Sequence, residues 1–485
     1  MKTIRYFTYS FLLLAAGLLH SCKDALKEEV FSFVATENYW KTEADAEAGI
    51  IGTYESFLSS NYYGRFYFEL TELPADFVTI NRNDTYQTLD RWDLIANHPF
   101  VLQVWNTMYQ QISRANGVIQ YVPAIAMDEQ KKQAIVGEAK FIRAFNYFNI
   151  VRLWGDSPMP LAVIDNLANT SLPRTSKTQI YAQIEQDLQE AEAVLPETRT
   201  GAAVGRATSG AAKTLLAWVY LTQEKWQEAA SKSNEVIGKY QLLPKFGDVF
   251  SGTNENNAEI IFSVQFDGTN RGHSLTSFAH AGGTQNPNCT NGVRVYSVDN
   301  KSDIWTRWDT TEARRNFSVY RYFTGRNGTR QDVGNDYPAF GKYNAPSETG
   351  INNSYINPIV LRYPDVLLIF AEAESQAKGG PTAEAYEAIN KIRRRAYNLP
   401  VDQPSATVDL TGLSQQAFRD AVIQERGFEF VMECKRLYDL LRTGTFKSKI
   451  QSLGKAATAG DLLPIPQSEI DANAEMASAD QNPGY

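Results

Sequence analysis

The chain has 485 residues, 43% of them hydrophobic, and a formal charge of −8. That length allows about three domains as a soft prior, and that apolar content is enough for a large core. Net negative charge argues against nucleic acid as a partner, because such binding needs a positive footprint.

Lys2 and Arg5 open the chain, and Phe11 to Leu19 form an unbroken apolar run of nine residues. A spanning helix needs about 20 residues, so the run reads as the apolar core of a secretory signal. The run gives way to Leu19, His20, Ser21 and Cys22. Leu-x-Ser-Cys resembles a bacterial lipobox, with His20 departing from the usual small residue. Cys22 is then the acylated first residue of the mature chain; the plainer alternative is a simple signal with a bystander cysteine. Two or more acyl chains anchor a protein stably, whereas one is marginal. Lys23, Asp24, Lys27, Glu28 and Glu29 follow as a charged tether, similar to the acidic signal of surface-exposed lipoproteins. Without Lys2 and Arg5 the charge becomes −10.

Residues 36–60 read as a helix. Thr42 is its N-cap, and Ala46, Gly49, Ile50, Thr53, Phe57 and Leu58 share one face. Over 61–100 the period is lost among Gly, Asn, Asp and rings, which predicts a long structured loop of the kind that often carries function. Helices resume near Val101. Ala134, Gly137, Phe141, Ala144, Phe148 and Val151 make a stripe widened by Ile135, Ile142 and Phe145, which implies contact on two sides. Ser176 and Gln179 form a capping-box pattern, Ile180, Ile184, Leu188, Ala191 and Leu195 keep helical spacing, and Pro196 ends it. The next two helices set Ala211, Ala212, Ala217, Ala229 and Ala230 among Leu215, Trp218, Tyr220 and Trp226, a small-against-large pairing that resembles a degenerate tetratricopeptide unit.

Residues 251–358 form a second irregular block, with one strand over Ile260–Phe266 and many rings. Helices return at Pro364, which suits a first turn, and Gly379–Gly380 suit the stop. Ala385, Ile389, Ile392 and Ala396 keep register in the next helix, and 414–445 reads as one or two more. The scaffold is thus helical over about 36–60, 101–250 and 359–445, with inserts at about 61–100 and 251–358. If the helix pairs stack, the two inserts must lie together on one side, where a ligand surface would form.

Of three cysteines, Cys289 and Cys434 remain besides Cys22. They could pair in an oxidising compartment, but Cys434 lies in a helical pattern and reads as a buried free thiol. Four scattered histidines give no zinc motif, and neither a phosphate loop nor a G-x-S-x-G elbow occurs. Glu425, Glu429 and Glu433 repeat at helical spacing and invite a glycosidase reading, which needs a carboxylate pair about 5–9.5 Å apart. Arg426, Arg436 and Arg442 are interleaved with them, so a structural ion-pair network is the better reading. Arg393, Arg394 and Arg395 on successive helix positions read as solvated or salt-bridged.

Several segments together, in order, resemble the SusD/RagB family of outer-membrane nutrient-binding lipoproteins. They are Leu19–Cys22, 38–54 (NYWKTEADAEAGIIGTY), 137–161, 205–221, 361–373, 389–396, 425–442 (ERGFEFVMECKRLYDLLR), LLPIPQSEIDAN and the closing QNPGY. The resemblance implies a mostly α fold: a tetratricopeptide-like superhelix bearing an irregular, loop- and strand-containing binding subdomain. It divides the chain into a signal peptide at 1–21, a tether at 22–35 and one domain at 36–485. It further implies a surface-exposed, lipid-anchored protein of the outer membrane. The implied partners are a SusC-like TonB-dependent transporter and a glycan, or in some branches a peptide.

Sugars are held without catalysis by aromatic faces, with Asp, Asn and Arg on the hydroxyls. The candidates are Asp76, Arg82, Trp92 and Asn97 in the first insert and Tyr296, Trp305 and Trp308 in the second. Asp76 and Trp92 hold positions where the family often places ligand contacts; local core packing is the ordinary alternative for each ring. No catalytic residue, cofactor or metal is expected. A glycoside hydrolase and a protein-binding tetratricopeptide adaptor are the alternatives of other classes.

Overall fold

The computed structural model describes residues 39–80, 85–164, 170–281, 286–334, 337–347 and 350–485. The signal segment, Cys22, the tether and Arg82 lie outside them.

Among the described residues ten helices carry the scaffold: α1 (Glu43–Glu55), α2 (Pro99–Tyr121), α3 (Glu129–Trp154), α4 (Lys177–Val194), α5 (Ser209–Thr222), α6 (Trp226–Asn234), α7 (Tyr363–Lys378), α8 (Ala383–Ala396), α9 (Gln415–Glu429) and α10 (Arg436–Arg442). Their ends are chemically marked. Thr42 and Asp45 form a reciprocal capping box at α1, Ser176 caps α4, and Thr382 caps α8. Pro364 sits in the first turn of α7, and Gly379 ends it in the left-handed region at φ 75°, where a side chain would be strained.

Each helix packs on the next, and α3 lies between α2 and α4. That is why nearly every residue of α3 from Gly137 to Trp154 is buried. Ala211, Ala212, Ala217, Ala229 and Ala230 are buried where α5 meets α6. α6 packs on α7, so the stack is continuous although the whole second insert intervenes in sequence.

The first insert is more regular than its composition predicts. It contains the short helices Phe66–Glu72 and Thr85–Asp90 and strand β1 (Val78–Ile80). In the second, β2 (Ile260–Ser263) is shorter than predicted and pairs antiparallel with β8 (Ile359–Arg362), closing the neck of the insert. β3 (Tyr296–Val298) pairs antiparallel with β1, Val78 opposite Val298 and Ile80 opposite Tyr296. The two inserts therefore meet through a backbone ladder, and Ser274 N–H donates to Gly64 O at 3.2 Å nearby.

α9 and α10 are separate helices, because Met432 and Cys434 between them take positive φ (61° and 56°). Cys434 thus lies in a turn rather than a helix; both it and Cys289 are buried, and no disulfide joins them. The Glu425, Glu429 and Glu433 carboxylates are all buried in ion pairs, but their partners come from distant segments. Arg314 reaches Glu425 at 2.7 Å and Glu429 at 2.6 Å. Arg362 binds Glu433 at 2.8 Å and also Glu429, and Arg395 binds Glu429 as well. Lys342 holds Glu433 at 2.5 Å. Burial pushes Glu429 up, but Arg395, Arg362 and Arg314 outweigh it and hold the carboxyl well below its usual range. Buried charges persist only when paired, so Arg314 and Lys342 clamp the second insert onto the α9–α10 turn. Of the three consecutive arginines, Arg394 and Arg395 are buried and salt-bridged.

Candidate functional site

Four predicted contact residues are core residues, and this corrects their expected role as ligand surface. Asp76 is buried and bound in bidentate fashion by Arg436, both bonds at 2.7 Å. The Trp92 indole is buried; its Nε1–H donates to Gly460 O at 2.6 Å, and Phe446 meets the ring edge-on at 4.9 Å. Tyr296 is buried against Phe278. Trp308 is buried, stacked on Phe428 at 4.6 Å with planes 4° apart, and donates to Glu312. Rings carry more apolar area than any other side chains, and in each case protein covers the faces a sugar would need.

Trp305 and Asn97 are accessible. Trp305 is half-buried with the Arg315 guanidinium 5.0 Å from its ring, and Asn97 is exposed. In the second insert Tyr322 is the exposed large ring, on the hairpin of β5 (Tyr322–Thr324) and β6 (Arg330–Asp332), with Arg330 laid over it at 3.7 Å.

Two of the buried candidates, Asp76 and Trp308, stand behind the same cavity. Arg436, held by Asp76, and Phe428, backed by Trp308, line one groove of about 280 Å³. Phe77, Asp303, Arg419 and Lys449 complete its walls. Asp76 and Trp308 thus shape that groove from behind.

A larger groove, about 690 Å³, opens where both inserts meet α1 and α2. Its lining is mostly polar. Ser59, Ser60, Asn61 and Arg65 come from the turn after α1, Thr107, Gln110 and Arg114 from α2, and Asn270, Arg271, Asn352 and Asn353 from the second insert. Local chemistry fixes this shape. Gly64 N–H and Tyr62 N–H both bond Ser59 O, folding the 59–66 turn tightly. A Cβ on Gly64 would meet Ser59 O at 2.8 Å. In the 267–271 turn, backbone N–H groups of Arg271, Thr269 and Asn270 hold the Asp267 carboxyl down to about 2. Gly272 lies against the backbone of Asn352 and Asn353, where a Cβ would sit 2.5 Å from Asn352 O.

Across the groove floor, Arg271 binds Glu55 at 2.6 Å. Arg114 Nη1 reaches Gly52 O at 2.7 Å, Ser56 Oγ at 2.9 Å and Glu55 at 3.5 Å. At one end stands a ring cluster: Phe66 stacks on Phe100 at 4.5 Å, and Tyr86 and His98 meet Phe100 edge-on. Arg65 lies 5.0–5.6 Å from Phe66, Phe278 and Tyr86, and its Nε–H donates to Glu69 at 2.9 Å. Tyr296 supports this end from below through Phe278.

Sequence reasoning missed Asn61, Arg65, Phe66, Gln110, Arg114, Arg271 and Asn352. The signal for Asn61, Arg65, Arg271 and Asn352 was the density of Ser, Asn and Arg in SSNYYGR, GTNRG and INNS, whereas Phe66, Gln110 and Arg114 stand outside those stretches. Among the described residues no cluster of His, Cys, Asp and Glu could hold a metal, and no helix is long and apolar enough to cross a membrane.

Comparison with known proteins adds a lineage. Residues 217–485 match the model of the SusD family, and residues 39–221 match a family described as starch-binding associating with outer membrane. SusD-like protein P25 of Formosa agariphila is 28% identical, with all of each chain covered. A SusD homologue from Bacteroides thetaiotaomicron superposes with a TM-score of 0.82 at 23% identity, over 94% of this chain and 100% of that one. A laminarin-binding SusD-like protein superposes with a TM-score of 0.76 at 25% identity, over 92% of this chain and 100% of that one.

Proposed function

This chain belongs to the SusD family, and we propose that it is a surface-exposed lipoprotein that binds glycans in the 690 Å³ groove and hands them to a TonB-dependent outer-membrane transporter. The observation that carries the reading is the groove's chemistry. Each carboxamide of Asn61, Gln110 and Asn352 offers both a donor and an acceptor, which is what a sugar hydroxyl demands. The guanidinium of Arg114 is already held by Glu55, Ser56 and Gly52, so little side-chain entropy is lost when a ligand arrives. Phe66, which lines the groove, supplies an apolar surface for a pyranose ring. A ring contact of this kind contributes about 0.5–1.5 kcal/mol, so affinity is modest and release to a transporter is easy. The outer-membrane description of the family matched over residues 39–221 and the name of the laminarin-binding relative support the same reading.

A hydrolytic role is disfavoured by the same site. Cleavage needs two carboxylates about 5–9.5 Å apart, and among the described lining residues Glu55 is the sole acid, tied by Arg114 and Arg271. The Glu425, Glu429 and Glu433 carboxylates are likewise sequestered in ion pairs.

The test is retardation of the chain from Lys23 onward in native gels containing laminarin, starch, xylan or pectin. At least one should slow it, and Phe66→Ala with Asn61→Ala should restore mobility. Retention of peptides with no response to any polysaccharide would replace the glycan by a peptide. Cys22→Ala should abolish acyl labelling and release the full chain from membranes.

A further inference from the structure

The polar groove does not end at Arg114. The α2 residues that line it are Thr107, Gln110 and Arg114. A second, apolar trough of about 340 Å³ is lined by Arg114, Gly117 and Tyr121 of the same helix. The steps from 107 through 110, 114 and 117 to 121 alternate three and four residues, so all five lie along one stripe of α2. The facing wall is α1 with its C-cap in both cases: Glu55 and the capping Ser56 beside the polar groove, Ala48, Gly49 and Gly52 beside the trough. Arg114 lies across the boundary, bonded to Gly52 O on one side and Ser56 Oγ on the other. The two cavities are halves of one furrow with Arg114 as its saddle.

The far half is built on rings. Trp40 and Tyr121 stack with centroids 5.9 Å apart and planes at 20°, and Tyr39 meets Trp40 edge-on at 4.8 Å. Trp40 packs directly against helix backbone, since a Cβ on Gly49 would lie 2.4 Å from its Cη2 and one on Gly117 3.4 Å from its Cζ2. Both rings are only half-buried, with the rest turned to the trough they line. From Thr107 at one end to Tyr121 at the other, α2 advances about 21 Å, beyond a mono- or disaccharide.

Resting on the glycan reading above, we infer that the furrow is one extended binding surface, and that Trp40 and Tyr121 form a second subsite for the continuation of a glycan seated in the polar groove. The protein then selects long chains over short fragments. The polar half grips hydroxyls, Arg114 fixes the crossing point, and the ring pair takes the apolar faces of the sugars that follow.

The test uses whichever polysaccharide retards the wild type in those gels, together with its trisaccharide, on the chain from Lys23 onward. Trp40→Ala and Tyr121→Ala should each weaken polysaccharide binding by about two- to tenfold, the equivalent of one ring contact. Neither should change trisaccharide affinity in calorimetry. Phe66→Ala should weaken both ligands. Trp40→Phe, which keeps a ring on Gly49 and Gly117, should recover most of the polysaccharide binding and guards against a folding defect. Unchanged polysaccharide binding in both alanine variants, or equal loss for the two ligands, overturns the second subsite and leaves the glycan reading standing. A wild type that no polysaccharide retards overturns both.

Discussion

Glu72 ends the short helix Phe66–Glu72 beneath the site, and its carboxyl is buried. Cys434 N–H donates to it at 2.5 Å. Burial pushes its pKa from 4.5 to about 7; the Cys434 bond and Lys342 pull it down, and Glu433 pushes it up. Because the folded value lies above the unfolded one, Glu72 costs nothing below about pH 4.5, where both states are protonated. As pH rises towards 7 the unfolded chain ionises first and stability falls, and above about pH 7 the cost is constant at roughly 3 kcal/mol. Glu72→Gln keeps a carbonyl to accept from Cys434 and removes the titration. The variant should match the wild type near pH 4.5 and exceed it by roughly 3 kcal/mol at pH 8, or roughly 3 °C in Tm for cooperative unfolding of a chain this long. Paired thermal melts at the two pH values measure the difference and cancel the other titrating groups. A variant less stable than the wild type by the same amount at both values would refute the reasoning, for it would mean that the carboxylate is already charged in the fold.

Three further outcomes follow from packing and pairing. Asp76→Asn breaks the bidentate bond to the buried Arg436 and should cost about 3–5 kcal/mol in urea unfolding, because the guanidinium is left buried without its counter-charge. Gly460→Ala should lower Tm by several degrees, since its Cβ would lie 2.0 Å from Pro483 O and the clash would also disturb the carbonyl that Trp92 bonds. Cys289 and Cys434 are buried, and burial pushes the Cys434 thiol up. Neither should react with a thiol reagent in the native chain from Lys23 onward, and both should react in denaturant.

Much of the scaffold was legible because its signals are local. Thr42, Ser176, Pro364 and Gly379 mark ends through bonds or backbone angles within one turn, and the alanines of α5 and α6 announce a close helix contact by size alone. The inserts were legible only as places. Val78 and Val298 pair across nearly half of the chain, and nothing in either three-residue strand names its partner. Ring content showed that aromatic area had to be hidden but not which rings do the hiding, so Trp92, Tyr296 and Trp308 turned out to be core. Interleaved charges on α9 and α10 predicted a network correctly, but Arg426 bonds Asp439 and Arg442 bonds Glu372, while the glutamates take cations from the second insert, from β8 and from α8. The polar groove escaped notice because Ser, Asn and Gly are also the ordinary residues of turns; only their convergence in space distinguishes them.

The docking of α6 on α7 has a bearing on how such a molecule can change. The chain departs at Asn234 and rejoins the stack at Tyr363, and the seam is sealed by helix packing and by the β2–β8 neck. Closing a longer excursion is cheap, about 0.6 kcal/mol for each doubling of its length. The outward rim therefore tolerates added or exchanged residues, as long as Arg314 and Lys342, which plug into the glutamate cluster, stay in place. A frame sealed in this way can keep its architecture while its outer face is rewritten for a different nutrient.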